Sequence, residues 1–245
     1  MGFPSRRELF LAAVTVLFAA SALPEDVSTA LAGPLNSAQI VAQMTARDQA
    51  RNMELKHYQS QRHYQVQYRG FSAIVAANMT VDVNYDIEAG KSFQIVSQSG
   101  SKFLIEKVLK RAVDSEKEAF NSRASTALTQ ANYKFHLAGT EAVLGRPAYV
   151  LDVEPLVPSK FLYRGKIWVD AADFAVVKME TQPAKNPSFW ISRTLIHYTG
   201  AKTDGYWMPA SVRSETSVRI GGAAVLTIDY GSYQIAADSA LNSTQ

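Results

Sequence analysis

Residues 163–180, YRGKIWVDAADFAVVKME, constrain the fold more than any other stretch of this chain. Ile167, Trp168 and Val169 run into Asp170-Ala171-Ala172-Asp173, and Phe174-Ala175-Val176-Val177 runs out. β-Branched and aromatic residues on both sides of a tight polar turn specify an antiparallel hairpin. Strict alternation assigns Tyr163, Ile167, Val169, Ala175, Val177 and Met179 to one face. The other face holds Arg164, Lys166, Trp168, Phe174, Val176, Lys178 and Glu180, which is too apolar for a face left in water. The hairpin is therefore expected inside a sheet, with its outer face partly covered.

The same period of two recurs on both sides. Tyr64, Val66 and Tyr68, then Met79, Val81, Val83 and Tyr85, then Phe93 and Ile95 alternate with polar residues. They predict a three-stranded meander with one dry and one wet face. A polar loop is expected over 121–130. Strands follow at Tyr133-Phe135-Leu137, at Tyr149-Leu151-Val153, and from 189 to the end, with Gly221-Gly222 as a hairpin turn. The strand count is about ten or eleven. Only two helices interrupt it. One begins near Asn36 or Ser37, either of which can cap it, with Ile40, Val41 and Met44 as its apolar start. It is expected to lie across an edge of the domain. The other spans 102–120 and carries Ile105, Val108, Leu109, Ala112 and Val113 on one stripe, after a polar break at residues 99–101. This pattern is α+β: one long curled antiparallel sheet, a half-open barrel, with helices packed over its concave face.

The first residues read as an address rather than as part of this fold. Arg6 and Arg7 precede an apolar run from Leu9 to Ala20, and Ala20-Ser21-Ala22 has the form of a cleavage site. A signal peptide of residues 1–22 is expected, with Ala30-Leu31-Ala32 as a later cleavage option. Both the general secretory route and the twin-arginine route fit the arginine pair, and an uncleaved N-terminal anchor is the alternative. Residues 23–35 read as a linker, 36–236 as a single domain, and 237–245 as a frayed tail. The chain has no cysteine, which excludes disulfides and lipid attachment through a cysteine after the signal. A soluble periplasmic protein is expected.

Catalytic signatures are missing. His57, His63, His136 and His197 share no metal-ligand spacing, and no nucleophile elbow, dinucleotide fingerprint or phosphate loop occurs. With a net charge of +3 and no basic block, nucleic acid is not an expected partner. No enzyme activity, metal or cofactor is expected. The tyrosines and phenylalanines on the dry faces read first as ordinary core, with the lining of an apolar cavity as the sharper alternative.

Lys166-Ile167-Trp168-Val169-Asp170 with Phe174-Ala175-Val176-Val177-Lys178-Met179-Glu180 resembles the outer-membrane lipoprotein-sorting family, the LolA-like superfamily, in an uncharacterised branch. Gly205-Tyr206-Trp207-Met208-Pro209-Ala210 and Leu226-Thr227-Ile228-Asp229-Tyr230 fit the same pattern. The resemblance covers about residues 36–236. It implies a soluble periplasmic carrier or chaperone that holds lipid or lipoprotein acyl chains between sheet and helices, with envelope membrane proteins as further partners. The alternative on the same fold is an envelope sensor or protein-interaction module that transports no lipid. On the first reading the cavity is lined by Tyr64, Val66, Tyr68, Met79, Val81, Phe93, Tyr133 and Phe135 from the strands. Ile105 and Leu109 line it from the second helix.

Overall fold

A computed structural model describes residues 34–70, 73–186, 191–219 and 221–236. The expected signal peptide, most of the expected linker, the start of the strand expected at 189 and the expected tail lie outside the described residues.

Ten strands form one open sheet: β1 (His57–Arg69), β2 (Ile74–Asp86), β3 (Gly90–Gly100), β4 (Tyr133–Val143), β5 (Arg146–Pro155), β6 (Tyr163–Asp170), β7 (Val176–Pro183), β8 (Ile191–Thr203), β9 (Tyr206–Val218) and β10 (Ala223–Ala236). Their order is β3-β2-β1-β10-β9-β8-β7-β6-β5-β4. Every neighbour is antiparallel and consecutive in sequence except β1 with β10, which joins the beginning and end of the sheet. The sheet has two edges, β3 and β4, so the barrel is not closed. The fold class expected from the sequence is the one observed.

Alternation sets the faces. Along β1, Tyr58, Ser60, Arg62, Tyr64 and Val66 point inward and are buried, while the residues between them are exposed. One inward row crosses nine strands: Leu137, Leu151, Ile167, Met179, Tyr198, Val212, Ile228, Tyr64 and Met79 are successive register partners. A sheet with such a row on one face must cover it.

Two helical layers do so. The first is α1 (Ser37–Glu54), capped by Asn36: its side chain accepts from Gln39 N at 3.0 Å, and Gln39 Oε1 accepts from Asn36 N at 2.9 Å. Its Ile40, Val41 and Met44 pack on Tyr133, Leu151, Val153, Ile167 and Val169, so it covers β4 to β6 rather than one edge strand. The second is a continuous rod of α2 (Lys102–Leu104), a π-helical stretch (Ile105–Leu109) and α3 (Lys110–Asn121). Ser101 caps it. Ile105, Leu109 and Val113 pack on β1 and β2, as the stripe predicts. The loop expected at 121–130 contains a further helical turn, α4 (Arg123–Thr126).

The hairpin of β6 and β7 lies inside the sheet and its outer face is partly covered, around Trp168, while Lys166 and Glu180 are exposed. Trp168 is only 3% exposed, packs with Ala148, Val150 and Val177, and donates from Nε1 to Glu141 at 2.7 Å. Alternation fails at one place. The register slips between Trp168 and Val169, a β-bulge. It sends Val177 to the outer cluster and brings Phe174 and Val176 to the inner one, the reverse of the alternating assignment.

Ionic contacts lock the turn of this hairpin. Asp170 accepts two bonds from Arg146, at 2.5 and 2.9 Å, and backbone N–H bonds from Ala172 and Asp173. Asp173 Oδ2 accepts from Arg146, Lys202 and Trp207, all within 3.0 Å, and Arg51 of α1 donates to its carbonyl. The hydrogen bonds from Arg146 first, and those from the two amides, hold the buried Asp170 carboxyl below the usual aspartate range. Asp170→Asn should therefore destabilise the fold by about 2 kcal/mol, read as a lower urea midpoint. Because the folded pKa is depressed, this stability is present above the ordinary aspartate pKa of about 3.9 and is lost as pH falls through the depressed value. The two proteins should converge in acid; equal midpoints at pH 7 would show that the turn contributes nothing.

Candidate functional site

The two helical layers leave a gap. β8 lies mid-sheet, and its inward Ile196 and Tyr198 are only partly buried. Between the second half of α1, residues 127–129 and strands β7 to β9 lies a groove of about 310 Å³. Met44, Leu128, Val176, Tyr198 and Trp207 supply apolar walls, while Thr45, Asp48 and Arg51 stand on the α1 side. Burial first, then the Asp48 charge, pushes the Tyr198 phenol up to about 12. Tyr198 thus stays neutral and presents a hydroxyl to a mainly apolar space. Apolar walls with a few polar groups at the margin suit an amphiphile.

On the far side of β8 the interior is closed. Tyr64, Val66, Met79, Val81, Ile105 and Leu109 are all buried in one core, with Tyr68 and Phe93 packed against it. Tyr133 and Phe135 belong to the other core, under α1. The ten residues proposed from the sequence therefore do not meet in one place. Six strand residues face the rod, Ile105 and Leu109 belong to it, and Tyr133 and Phe135 face α1.

The closed core contains a charge. Arg62, 1% exposed, forms an ion pair from Nη1 with Glu116 of α3, and Lys91 Nζ lies 3.2 Å from the other oxygen of that carboxylate. The guanidinium stacks over the rings of Tyr230 at 4.6 Å and Phe93 at 5.7 Å. Its Nε and the Tyr64 hydroxyl have no protein partner. Burial works against the Glu116 charge, but Arg62 and Lys91 outweigh it and hold the carboxyl below its usual range. Burial, then the Glu116 charge, pushes Tyr64 up to about 12 and Tyr230 well above its ordinary value.

Sequence reasoning missed this pair, although a signal was present. Arg62 is in phase with Tyr64, Val66 and Tyr68 on the dry face, and Glu116 continues the stripe of Leu109, Ala112 and Val113. A charge in phase with an apolar face, twice, points to a buried pair.

Among the described residues no group of three or more His, Asp or Glu side chains could hold a metal. His63, His136 and His197 are exposed strand residues, and His57 pairs with Asp86 at 2.8 Å. No described helix is long and apolar enough to cross a membrane.

No family model and no curated protein matches this sequence. Solved structures do match along most of the chain. A DUF1329 family protein from Desulfovibrio piger is 13% identical, with 82% of this chain and 93% of that chain covered and a TM-score of 0.41. An outer membrane lipoprotein-sorting protein domain from Vibrio parahaemolyticus is 11% identical, with 84% and 96% covered and a TM-score of 0.41. A LolA superfamily protein from Nitrosomonas europaea is 12% identical, with 83% and 95% covered and a TM-score of 0.34. These likenesses concern the course of the chain; none bears on ligand, partner or activity here.

Glu116→Leu leaves the Arg62 charge in an apolar site and should cost about 3–5 kcal/mol, measured by urea unfolding. Replacing both partners by leucine should restore most of it. Because the folded pKa of Glu116 is depressed, its contribution is present above the ordinary glutamate pKa of about 4.3 and is lost as pH falls through the depressed value. Tyr64 acts in the opposite direction. Its contribution is complete below about pH 10 and is lost as pH rises toward about 12. A double variant as weak as Glu116→Leu would contradict a mainly electrostatic penalty.

Proposed function

We propose that this protein is a soluble periplasmic carrier or binding protein for lipid or lipoprotein acyl chains. The observation that carries this reading is the mid-sheet groove between α1 and the strands, continuous with the inward apolar row on β7 to β9. An acyl chain in water loses about 0.8 kcal/mol for each exposed CH₂, so a chain crossing an aqueous compartment needs a host of this kind. At about 310 Å³ the groove is at the small end of ligand sites and holds part of one chain. More room comes from lifting the rod at 102–121. That movement uncovers Tyr64, Val66, Tyr68, Met79, Val81 and Phe93 on the sheet, with Ile105 and Leu109 on the rod. Tyr133 and Phe135 extend the wall under α1. The Arg62–Glu116 pair opposes the lift and is the natural point of control. Export by an N-terminal signal of 22 to 32 residues completes the proposal.

One observation favours a second reading. β3 is an edge strand with Ile95 and Val96 exposed, a place where an envelope protein could add a strand. Crosslinking to a protein partner without lipid uptake would favour it.

Thr45→Trp fills the groove from α1 without touching the Arg62 core. It should weaken uptake of a fluorescent fatty acid about ten-fold or more, with melting temperature unchanged. Unchanged uptake by this variant, or no uptake by the native protein, would count against the groove.

A further inference from the structure

An antiparallel sheet places its turns alternately at two rims, and in this protein the rims differ in charge. One rim holds the β2–β3, β4–β5, β6–β7 and β8–β9 turns, with Asp86, Glu88, Asp170, Asp173 and Asp204 in or beside them and Arg146 and Lys202 paired to two of these aspartates. The opposite rim holds the β1–β2, β5–β6, β7–β8 and β9–β10 connections and the start of α2. Among the described residues its connecting segments contain no Asp or Glu, and Arg69, Lys102, Lys160 and Lys185 are all exposed there.

This acid-free rim also carries exposed apolar side chains. Val157 is 72% exposed, Phe103 68% and Ile74 58%. The parts around Phe103 are laced together. Ser101 N donates to Ala76 O at 2.9 Å, Tyr68 OH donates to Gly221 O at 2.9 Å, and Arg69 pairs with both Ile74 and Ala223. Two carboxylates of adjoining elements are already engaged: Glu106 with Lys110 at 2.5 Å and Glu154 with Arg164 at 3.7 Å. Both helical layers start here. Ala38 of α1 accepts from Gln130 beside β4, whereas Arg51 reaches the β6–β7 turn at the other rim. Their positive dipole ends therefore add to the basic charge.

From this geometry we infer that the acid-free rim docks on an anionic lipid bilayer. Exposed lysine and arginine meet the headgroup charge, and Phe103, Ile74 and Val157 enter the boundary between headgroups and acyl chains. The opposite rim, where Asp170 and Asp173 pair with Arg146 and Lys202, offers no acid-free surface. The protein would thus approach a membrane in one orientation. The inference goes beyond acyl-chain binding and does not depend on it.

Cosedimentation of the full chain with vesicles tests this. Native protein should bind vesicles containing phosphatidylglycerol and phosphatidylcholine about ten-fold better than vesicles of phosphatidylcholine alone, and 0.5 M salt, roughly enough to collapse the screening length, should release it. Lys102→Glu with Lys160→Glu should lower binding about ten-fold or more. Phe103→Ser with Val157→Ser should lower it at unchanged charge. Lys56→Glu, at the other rim, should leave it unchanged. Thermal melting checks the fold of each variant, and the salt release tests the native protein directly. Equal binding to anionic and neutral vesicles would overturn the inference. So would a Lys56→Glu loss as large as that of the rim variants, which would reduce the effect to net charge. No acyl probe enters this assay, so failure here and failure of the groove are separately visible.

Discussion

A guanidinium held at 1% exposure inside a sheet is the constraint on which the rest of this structure depends. Arg62 occupies an inward position of β1, with Val81 of β2 and Tyr230 of β10 as its register partners. Its charge is tolerable there only if a carboxylate arrives from the covering layer. Glu116 does arrive, one turn beyond the last buried apolar residue of α3, and Lys91 joins it from the edge strand. The pair fixes how the helical rod seats on the sheet. Such a pair adds little net stability compared with leucines in its place, but it penalises every other seating. Specificity of closure is what it contributes.

That closure explains where the open space lies. The rod covers β1 and β2, and α1 covers β4 to β6, each through its own core. The inward row of apolar residues continues between them across β7, β8 and β9, where the second half of α1 leaves a groove above it. Ten twisted strands curl more than two helices can follow, and the gap falls over Tyr198. The α1 wall of this groove is tied to the β6–β7 turn through Arg51 and the Asp173 carbonyl.

Much of this was legible in the sequence. The Asn36 cap, the Ile40-Val41-Met44 start, the Ile105 to Val113 stripe and the alternating strands are all where local periodicity places them, because capping and amphipathicity are local properties. Two kinds of feature were not legible. The bulge at Trp168 exchanges the faces of Val177 and of Phe174 and Val176, and no residue type announces a register slip. The separation of Tyr133 and Phe135 from the other cavity candidates follows from sheet order, in which β4 lies at the edge farthest from β3. That order is a long-range outcome. The Arg62–Glu116 pair falls between the two kinds: each charge is visibly in phase with an apolar face, but only the fold shows that they meet.

The central claim is that an acyl chain lies on the concave face between α1 and the rod. Photo-crosslinking with a diazirine-bearing fatty acid, followed by peptide mapping, tests it most directly. The account predicts adducts on α1 near Met44, on β7 near Val176 and on β8 near Tyr198. Adducts confined to the outer face around Trp168, or spread without preference over the chain, would contradict it.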